Sequence, residues 1–243
     1  MAMGGIWALV PVKEFSRAKH RLAPALPPAA RADLARAMLE DVLAALAGTP
    51  GLAGILVVSR EPEAWSLARA VGAQAIAEPA GSDLNATVAA GIGHLARLGA
   101  AGMLVVPGDI PAATPAEFAS LLAAHGEGRA VTLVAARDGG TNALLAAPPD
   151  LLPVAYGPAS FERHLLHARA AGIEPRVREL PGIGLDLDTP DDLARFLLRD
   201  APTRTRQCLG RWRAGPAIGR SRLIERGAAS DPGPMRQQRN SGR

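Results

Sequence analysis

Residues 103–111 read Met-Leu-Val-Val-Pro-Gly-Asp-Ile-Pro. Four apolar residues in a row, closed by Pro107, describe a strand buried on both faces of a sheet. Such unbroken runs belong to parallel sheets covered by helices, whereas half-exposed antiparallel strands alternate. The same signature stands earlier at Ile6–Val12 (IWALVPV) and Ile55–Ser59 (ILVVS), with a shorter strand expected at Ala73–Ala77. Pro27-Pro28 open a long helix in which Leu34, Met38, Val42 and Leu46 recur every four residues, and Gly48, Pro50 and Gly51 end it. Helices are also expected at Glu61–Val71, Leu84–Leu98 and Pro115–His125, the last capped by Thr114 ahead of Pro115. Further on, Val131–Ala135 and Ala143–Ala146 read as strands around the turn Asp138-Gly139-Gly140. Phe161–Ala171 reads as a helix with Ser160 at its N-cap, Arg176–Leu180 as a strand, and a helix capped by Thr189 runs to about Leu198. Strands alternating with helices predict an α/β fold around a mixed, mostly parallel sheet.

Composition narrows the function. With 48% hydrophobic and only 3% aromatic residues, the chain is globular with an aliphatic core, and it lacks the aromatic platforms on which bases stack. A single cysteine, Cys208, excludes an internal disulfide framework and a cysteine-built zinc site. No run approaches the roughly 20 apolar residues that span a membrane, and no basic region precedes the first apolar stretch, so a cytoplasmic protein without a membrane partner is expected. The formal charge of +4 hides an asymmetry: residues 201–243 carry ten Arg against Glu225 and Asp231, while the rest is mildly acidic. The division expected is one domain over residues 1–200 and a basic, disordered tail over 201–243. Deleting residues 203–243 is then expected to cost neither folding nor activity, with Trp212 the first anchor to test if the tail docks.

In open α/β sheets, ligands bind outside the carboxyl ends of the strands, so the residues after each strand carry the chemistry. After the first strand, Lys13, Arg17, Lys19 and Arg21 place four cations within nine positions, including the chain's only two lysines. Such a loop suits a polyphosphate, or it is simply a solvated charged loop. After the central strand, Asp109 either holds a Mg²⁺ that bridges phosphates or orders its own turn. Asp186 and Asp188 alternate in a strand-like segment and point to one side, so a cation shared with Asp109 would relieve their repulsion; Asp188 also stands at a helix start. The stretch Asp138–Asn142 is a hairpin turn or an anion cradle offering Thr141. Gly157 and Ser160 stand where a helix begins, a place for a carboxylate or phosphate as much as for an ordinary cap. Asn85 opens another helix, where it touches a base or ribose or merely caps. No Gly-x-Ser-x-Gly elbow and no metal-spaced histidines are present; His164 and His167 are three apart with no partner visible in the sequence.

Taken in order, V-P-V-K-x-x-x-R-A-K-x-R-L at 10–22, L-N-A at 84–86, V-P-G-D-I-P at 106–111, D-G-G-T-N-A-L at 138–144, Y-G-P-x-S-F at 156–161 and D-L-D-T-P-D-D-L at 186–193 resemble one family. It is the guanylyltransferases that activate a small phosphorylated carboxylic acid in coenzyme F-420 biosynthesis. The resemblance covers residues 6–198. It implies a Rossmann-like nucleotidyltransferase domain over residues 1–200, of the kind seen in molybdenum-cofactor guanylyltransferases, with helices on both faces of the sheet. It implies GTP and Mg²⁺, release of pyrophosphate, and phosphoenolpyruvate, 2-phospholactate or 3-phosphoglycerate as acceptor. By its motifs Lys13, Arg17 and Lys19 contact the triphosphate, with Asn85 on the nucleotide and Asp109 among the catalytic groups. Asp109, Asp186 and Asp188 hold metal, and Thr141, Gly157 and Ser160 hold the acid. Tyr156 stands where the family pattern usually has Phe.

An acceptor phosphate attacking the α-phosphate of GTP in line needs charge neutralisation and alignment rather than a protein nucleophile. That fits a chain rich in carboxylates and cations at strand ends. A downstream transferase of the same pathway is the macromolecular partner the resemblance implies. The alternatives are a nucleotidyltransferase acting on a sugar phosphate or a molybdopterin, and a non-catalytic nucleic-acid binder using the basic tail. The first gives no reason for the D-G-G-T-N and G-P-x-S-F pair. The second predicts affinity that falls steeply with salt, and the body gives no sign of specific nucleic-acid recognition.

Overall fold

A computed structural model describes residues 4–214. The strands are β1 (Ile6–Val12), β2 (Leu52–Ser59), β3 (Gln74–Ile76), β4 (Gly102–Val105), β5 (Ala130–Ala135), β6 (Thr141–Ala147) and β7 (Arg176–Val177). They form one sheet in the order β3-β2-β1-β4-β6-β5-β7. β1 runs parallel to β2 and β4, β2 to β3, and β5 to β7, while β6 is antiparallel to both β4 and β5. β6 is therefore the one reversed strand of the sheet. Its amino end, Thr141-Asn142, lies at the same edge as the carboxyl ends of β1 and β4. From the adjacent strands β1 and β4 the chain moves toward opposite edges of the sheet, to β2 and to β5, and at such a reversal of strand order an α/β sheet opens a crevice.

The helices are α1 (Pro28–Ala47), α2 (Pro62–Ala70), α3 (Leu84–Arg97), α4 (Pro115–His125), α5 (Ser160–Ala170), α6 (Pro190–Leu197) and α7 (Arg204–Ala214). Alternation along β1 divides the core. Ala8 and Val10 face a cluster that takes in Leu34, Met38 and Val42 of α1, while Trp7 and Leu9 face one built with Val88 and Ile92 of α3 and Leu165 of α5. Helices thus cover both faces, as the unbroken apolar strands require. α3 approaches β1 closely enough that a Cβ at Gly91 would collide with the Leu9 side chain. Thr114 and Thr189 each close a capping box, with Glu117 and Asp192 respectively. Among the described residues no helix is long and apolar enough to cross a membrane.

The structure departs from expectation in four places. Only Arg176–Val177 pairs as β7, a short edge next to β5. Asp186 and Asp188 lie in an extended segment outside the sheet, tied to it by the Leu187 N–H donating to the Asp109 carbonyl at 3.1 Å. Ser160 is the first residue of α5 rather than its cap, the N-cap being Ala159 in the left-handed region at φ 53°. The chain after residue 200 is not wholly disordered. α7 packs on α1 with Cys208 and Leu209 buried, and Trp212 donates to Asp33. Its first turn is satisfied by Asp41, whose carboxylate accepts from the N–H groups of Arg204 and Thr205 at 2.8 Å each. The domain boundary drawn at residue 200 therefore falls short of this helix. Residues 215–243, the rest of the expected tail, lie outside the described residues.

Candidate active site

A cleft of about 800 Å³ opens at the sheet edge defined by the ends of β1 and β4 and the start of β6. It is lined by Lys13, Lys19 and Arg21 after β1, by Gly108-Asp109 after β4, and by Thr141-Asn142 at the head of β6. Gly157 to Ser160 and Asp186 with Asp188 complete it. Ala35, Met38 and Leu39 of α1 form part of its apolar wall. Eight residues expected to act together thus share one cavity: Lys13, Lys19, Asp109, Thr141, Gly157, Ser160, Asp186 and Asp188. Arg17 and Asn85 are not among the lining residues.

Lys19 is the electrostatic centre. Between two short 3-10 turns, Phe15–Arg17 and His20–Leu22, it adopts a left-handed backbone at φ 55°. That turns its side chain inward until 6% remains exposed. Its ammonium donates to Asp109 Oδ2 at 2.6 Å and Asp188 Oδ1 at 2.5 Å. Burial pulls the Lys19 pKa down, but the two carboxylates outweigh it and the net displacement is upward. Arg31 of α1 is itself buried and braces this turn, donating to the Ala18 carbonyl at 3.5 Å and lying 3.4 Å from His20 Nδ1.

Asp186 sits beside this pair. Burial, and next the Asp109 charge, hold its carboxyl above the usual range. Asn142 steadies it, its amide donating to Asp186 Oδ1 at 3.1 Å and to the Ile183 carbonyl at 3.0 Å. The fit of a divalent cation can be judged from these atoms. Asp109 Oδ1 is buried with no hydrogen-bond partner. Among the described residues no three His, Cys, Asp or Glu side chains already form a metal cage. Mg²⁺, however, is usually held by one or two carboxylates plus phosphate oxygens. Asp109 and Asp188 fit that requirement, and Asp186, with one oxygen committed to Asn142, adds charge beside them.

Hydroxyls line the same cleft. Thr141 Oγ1 lies 2.9 Å from His164 Nδ1 and accepts from Ser160 Oγ at 3.2 Å. Phe161 N–H donates to the Gly139 carbonyl, joining the 138–140 turn to the start of α5. Gly157, at φ 118°, occupies a conformation open mainly to glycine.

The remaining expected residues have other partners. The Lys13 ammonium donates to Glu78 Oε2 at 2.6 Å, Thr87 Oγ1 at 2.8 Å and the Ser82 carbonyl at 2.9 Å, tying the β3–α3 loop to the end of β1. The Arg17 side chain is exposed and its guanidinium bonds none of the described residues. Asn85 neither caps α3, a role taken by Asp83, nor lines the cleft. Its amide makes a reciprocal pair with the Tyr156 backbone, accepting from N–H at 2.7 Å and donating to C=O at 3.1 Å. Sequence reasoning did not assign Asn142, Arg31 or His164. Asn142 had a signal in lying next to Thr141, whereas His164 had none, because its partner is 23 residues away.

An α/β sheet whose switch-point cleft gathers ammonium, carboxylate and hydroxyl groups has the architecture of a nucleotidyltransferase. Solved structures share its fold. A protein from Desulfovibrio desulfuricans G20 described as a nucleotide-diphospho-sugar transferase matches with TM-score 0.70 at 19% identity, covering 88% of this chain and 96% of that one. A nucleotidyl transferase from Methanothermobacter thermautotrophicus matches with TM-score 0.58 at 19% identity, over 85% and 99% of the two chains. The chain belongs to the family described as "Guanylyl transferase CofC like", whose model matches residues 6–220. It is 44% identical over 193 residues to a phosphoenolpyruvate guanylyltransferase of Rubrobacter xylanophilus, covering 79% of this chain and 93% of the relative. It is 32% identical over 222 residues to a 2-phospho-L-lactate guanylyltransferase of M. thermautotrophicus, covering 89% and 96%.

Proposed function

We propose that this guanylyltransferase joins GTP to the phosphate of a small phosphorylated carboxylic acid, releasing pyrophosphate, with Mg²⁺ as cofactor. Phosphoenolpyruvate is the first acceptor to try, and 2-phospholactate and 3-phosphoglycerate are the others. The observation that supports this reading is that one cleft gathers Lys19 with Asp109 and Asp188, which suit a metal-bound polyphosphate, and the hydroxyls of Thr141 and Ser160, which suit an anionic acceptor. A phosphate of the acid attacks the α-phosphorus of GTP. A P–O bond forms to the acceptor oxygen, the bond to the β-phosphate bridging oxygen breaks, and pyrophosphate leaves with that electron pair.

Lys19 moves onto the triphosphate and offsets its charge, while Arg21, 3.9 Å from Asp188, stands near it. Asp109 and Asp188 would hold Mg²⁺, which when bound neutralises the charge gathered around the transferring phosphate. Thr141 and Ser160 hold the anionic acceptor and aim it. Lys13 orders the loop between β3 and α3 beside the nucleotide. The acceptor phosphate is already ionised near neutrality, so no strong base is needed, and the buried His164 ring and Tyr156 hydroxyl serve no proton transfer. The product, a guanosine diphosphate carrying the acid, is an activated donor of the kind coenzyme F-420 assembly consumes. Dependence on GTP puts the reaction in the cytoplasm, with a downstream transferase as the partner that takes the product.

Incubation with GTP, Mg²⁺ and each acid in turn tests the proposal. Pyrophosphate release that depends on one acid is expected. Its absence with all three, from a folded sample, would overturn the reading.

A further inference from the structure

We infer that His164 is a positioning residue that sets the hydrogen-bond polarity of the acceptor site, forcing the Thr141–Ser160 pair to present a donor to the cleft. The inference rests on the acceptor assignment just proposed. His164 is fully buried on α5, one turn beyond Ser160, and Tyr156 packs edge-on against its ring at 5.0 Å. The Ala155 backbone N–H points at Nε2 from 2.9 Å. A backbone N–H can only donate, so Nε2 must be the bare nitrogen. In the neutral ring the proton then resides on Nδ1. Burial first, then the nearby His167 and Arg163 charges, keep the ring neutral, with a pKa lowered to about 4.

Polarity follows by counting protons. Nδ1–H donates to Thr141 Oγ1 at 2.9 Å. Thr141 and Ser160, both buried, have two hydroxyl protons and spend one on the bond between them. His164 takes neither, because it brings its own. Whichever hydroxyl donates to the other, one proton is left over, and both residues line the cleft. The opposite tautomer would reverse the chain. Thr141 would donate to Nδ1, Ser160 to Thr141, and the cleft would meet only lone pairs, which repel a carboxylate or phosphate.

Two substitutions separate the two ring nitrogens. His164→Asn keeps an amide nitrogen near the Nδ1 position and so keeps a donor for Thr141. His164→Gln sets its amide near the Nε2 position, where it can accept from Ala155 but no longer donates to Thr141. His164→Gln is expected to raise the acceptor KM about threefold or more with the GTP KM unchanged, since without the Nδ1 donor nothing compels the spare hydroxyl proton to face the cleft. His164→Asn should recover most of that loss. Combined with Thr141→Val, His164→Gln should add little further effect, because both act through one hydroxyl. An unchanged acceptor KM in His164→Gln, equal rises for both substrates, or additive effects would overturn the inference. Imidazole ¹⁵N spectra of the unmodified protein decide it without any variant: Nδ1 protonated and Nε2 bare is expected, and the reverse would sink it. A protein that uses none of the three acids would bring down the acceptor assignment, a failure the ¹⁵N spectrum keeps separate from a wrong tautomer.

Discussion

The Lys19 ammonium meets the Asp188 carboxylate at 2.5 Å across 169 positions of sequence, with Asp109 held by the same ammonium at 2.6 Å. Replacing Lys19 by Met would leave Asp109, Asp186 and Asp188 facing one another without a cation. Breaking a largely buried ion pair costs several kcal/mol, less here because Asp188 is partly solvated, so a loss of about 1–3 kcal/mol is expected. Urea melts read that loss. Steady-state assays should show a raised GTP KM together with lower turnover. Full stability with full activity would mean that Lys19 is a bystander.

The three carboxylates should not respond alike. Asp109→Asn and Asp188→Asn should each cut turnover sharply and weaken Mn²⁺ binding, measured by paramagnetic relaxation in the presence of nucleotide. Asp186→Asn should cost less metal affinity, because Asn142 keeps one of its oxygens, whereas the Lys19 ammonium that holds Asp109 and Asp188 moves onto the triphosphate in the proposed reaction. Equal losses in all three would show that Asp186 is a full ligand.

Asn85 separates two roles cleanly. Both polar ends of its amide are spent on the Tyr156 backbone. Asn85→Ala should therefore lower stability by about 1–3 kcal/mol through two unpaired backbone groups. The acceptor KM should rise as the 153–159 loop loosens. An altered GTP KM with normal stability would instead return Asn85 to the nucleotide.

Acid should destabilise the fold before most carboxylates titrate. His125 and His164 are buried, and their pKa values are lowered to about 4, His125 by burial and the Arg176 charge. The unfolded chain takes up these protons near pH 6.5, the native chain only near pH 4. The stabilisation is thus fully present above about pH 6.5 and is lost as the pH falls toward 4, of the order of 2–3 kcal/mol per group. Asp186 works in the opposite sense, since its raised pKa lets the native state accept a proton early. Denaturation midpoints at pH 7 and pH 5 measure the balance; equal midpoints in wild type and a His125→Gln variant at both pH values would contradict it.

Removing α7 should weaken the fold, contrary to what its composition implies. Deleting residues from Arg204 onward uncovers α1 where Leu209 and Cys208 are buried. Leu209→Ala alone should cost about 2–4 kcal/mol. Turnover of the surviving folded protein should persist, because α1 turns Met38 and Leu39 to the cleft and Asp33 and Asp41 to α7. A truncated chain with an unchanged urea midpoint would show that α7 contributes nothing.

Sheet and helices were legible in the sequence where the pattern is local. The run Met103–Val106 can only be a strand covered on both faces, and Leu34, Met38, Val42 and Leu46 can only be a buried helix stripe. Asp109, Thr141 and Asp188 were legible as candidates because each stands where an apolar run gives way to turn residues. Direction was legible only at the hairpin: the short Asp138-Gly139-Gly140 turn makes β5 and β6 an antiparallel pair, but an apolar run reads the same whether a strand ascends or descends, so which of the two is reversed against β4 had no local sign. Nor was α7, whose few apolar residues fall short of a core until Asp41 and α1 complete it. The cation loop showed its charge but not its aim. A left-handed turn at Lys19 sends that side chain inward, while Arg17, two residues earlier, stays in solvent.

The reversed β6 has a consequence for how such a protein can change. Because β6 begins at the active edge, the turn before it, the strand itself and the loop into α5 deliver Thr141, Asn142, Gly157, Ser160 and His164 as one uninterrupted stretch of chain. Lys19 and Asp109 arrive on wholly separate segments. On the assignment proposed above, chemistry and choice of acceptor are written on different lengths of the polypeptide. A lineage that keeps Asn142, the one residue of the stretch bonded to Asp186, can then exchange the rest of residues 136–164 as a cassette and trade one acid for another.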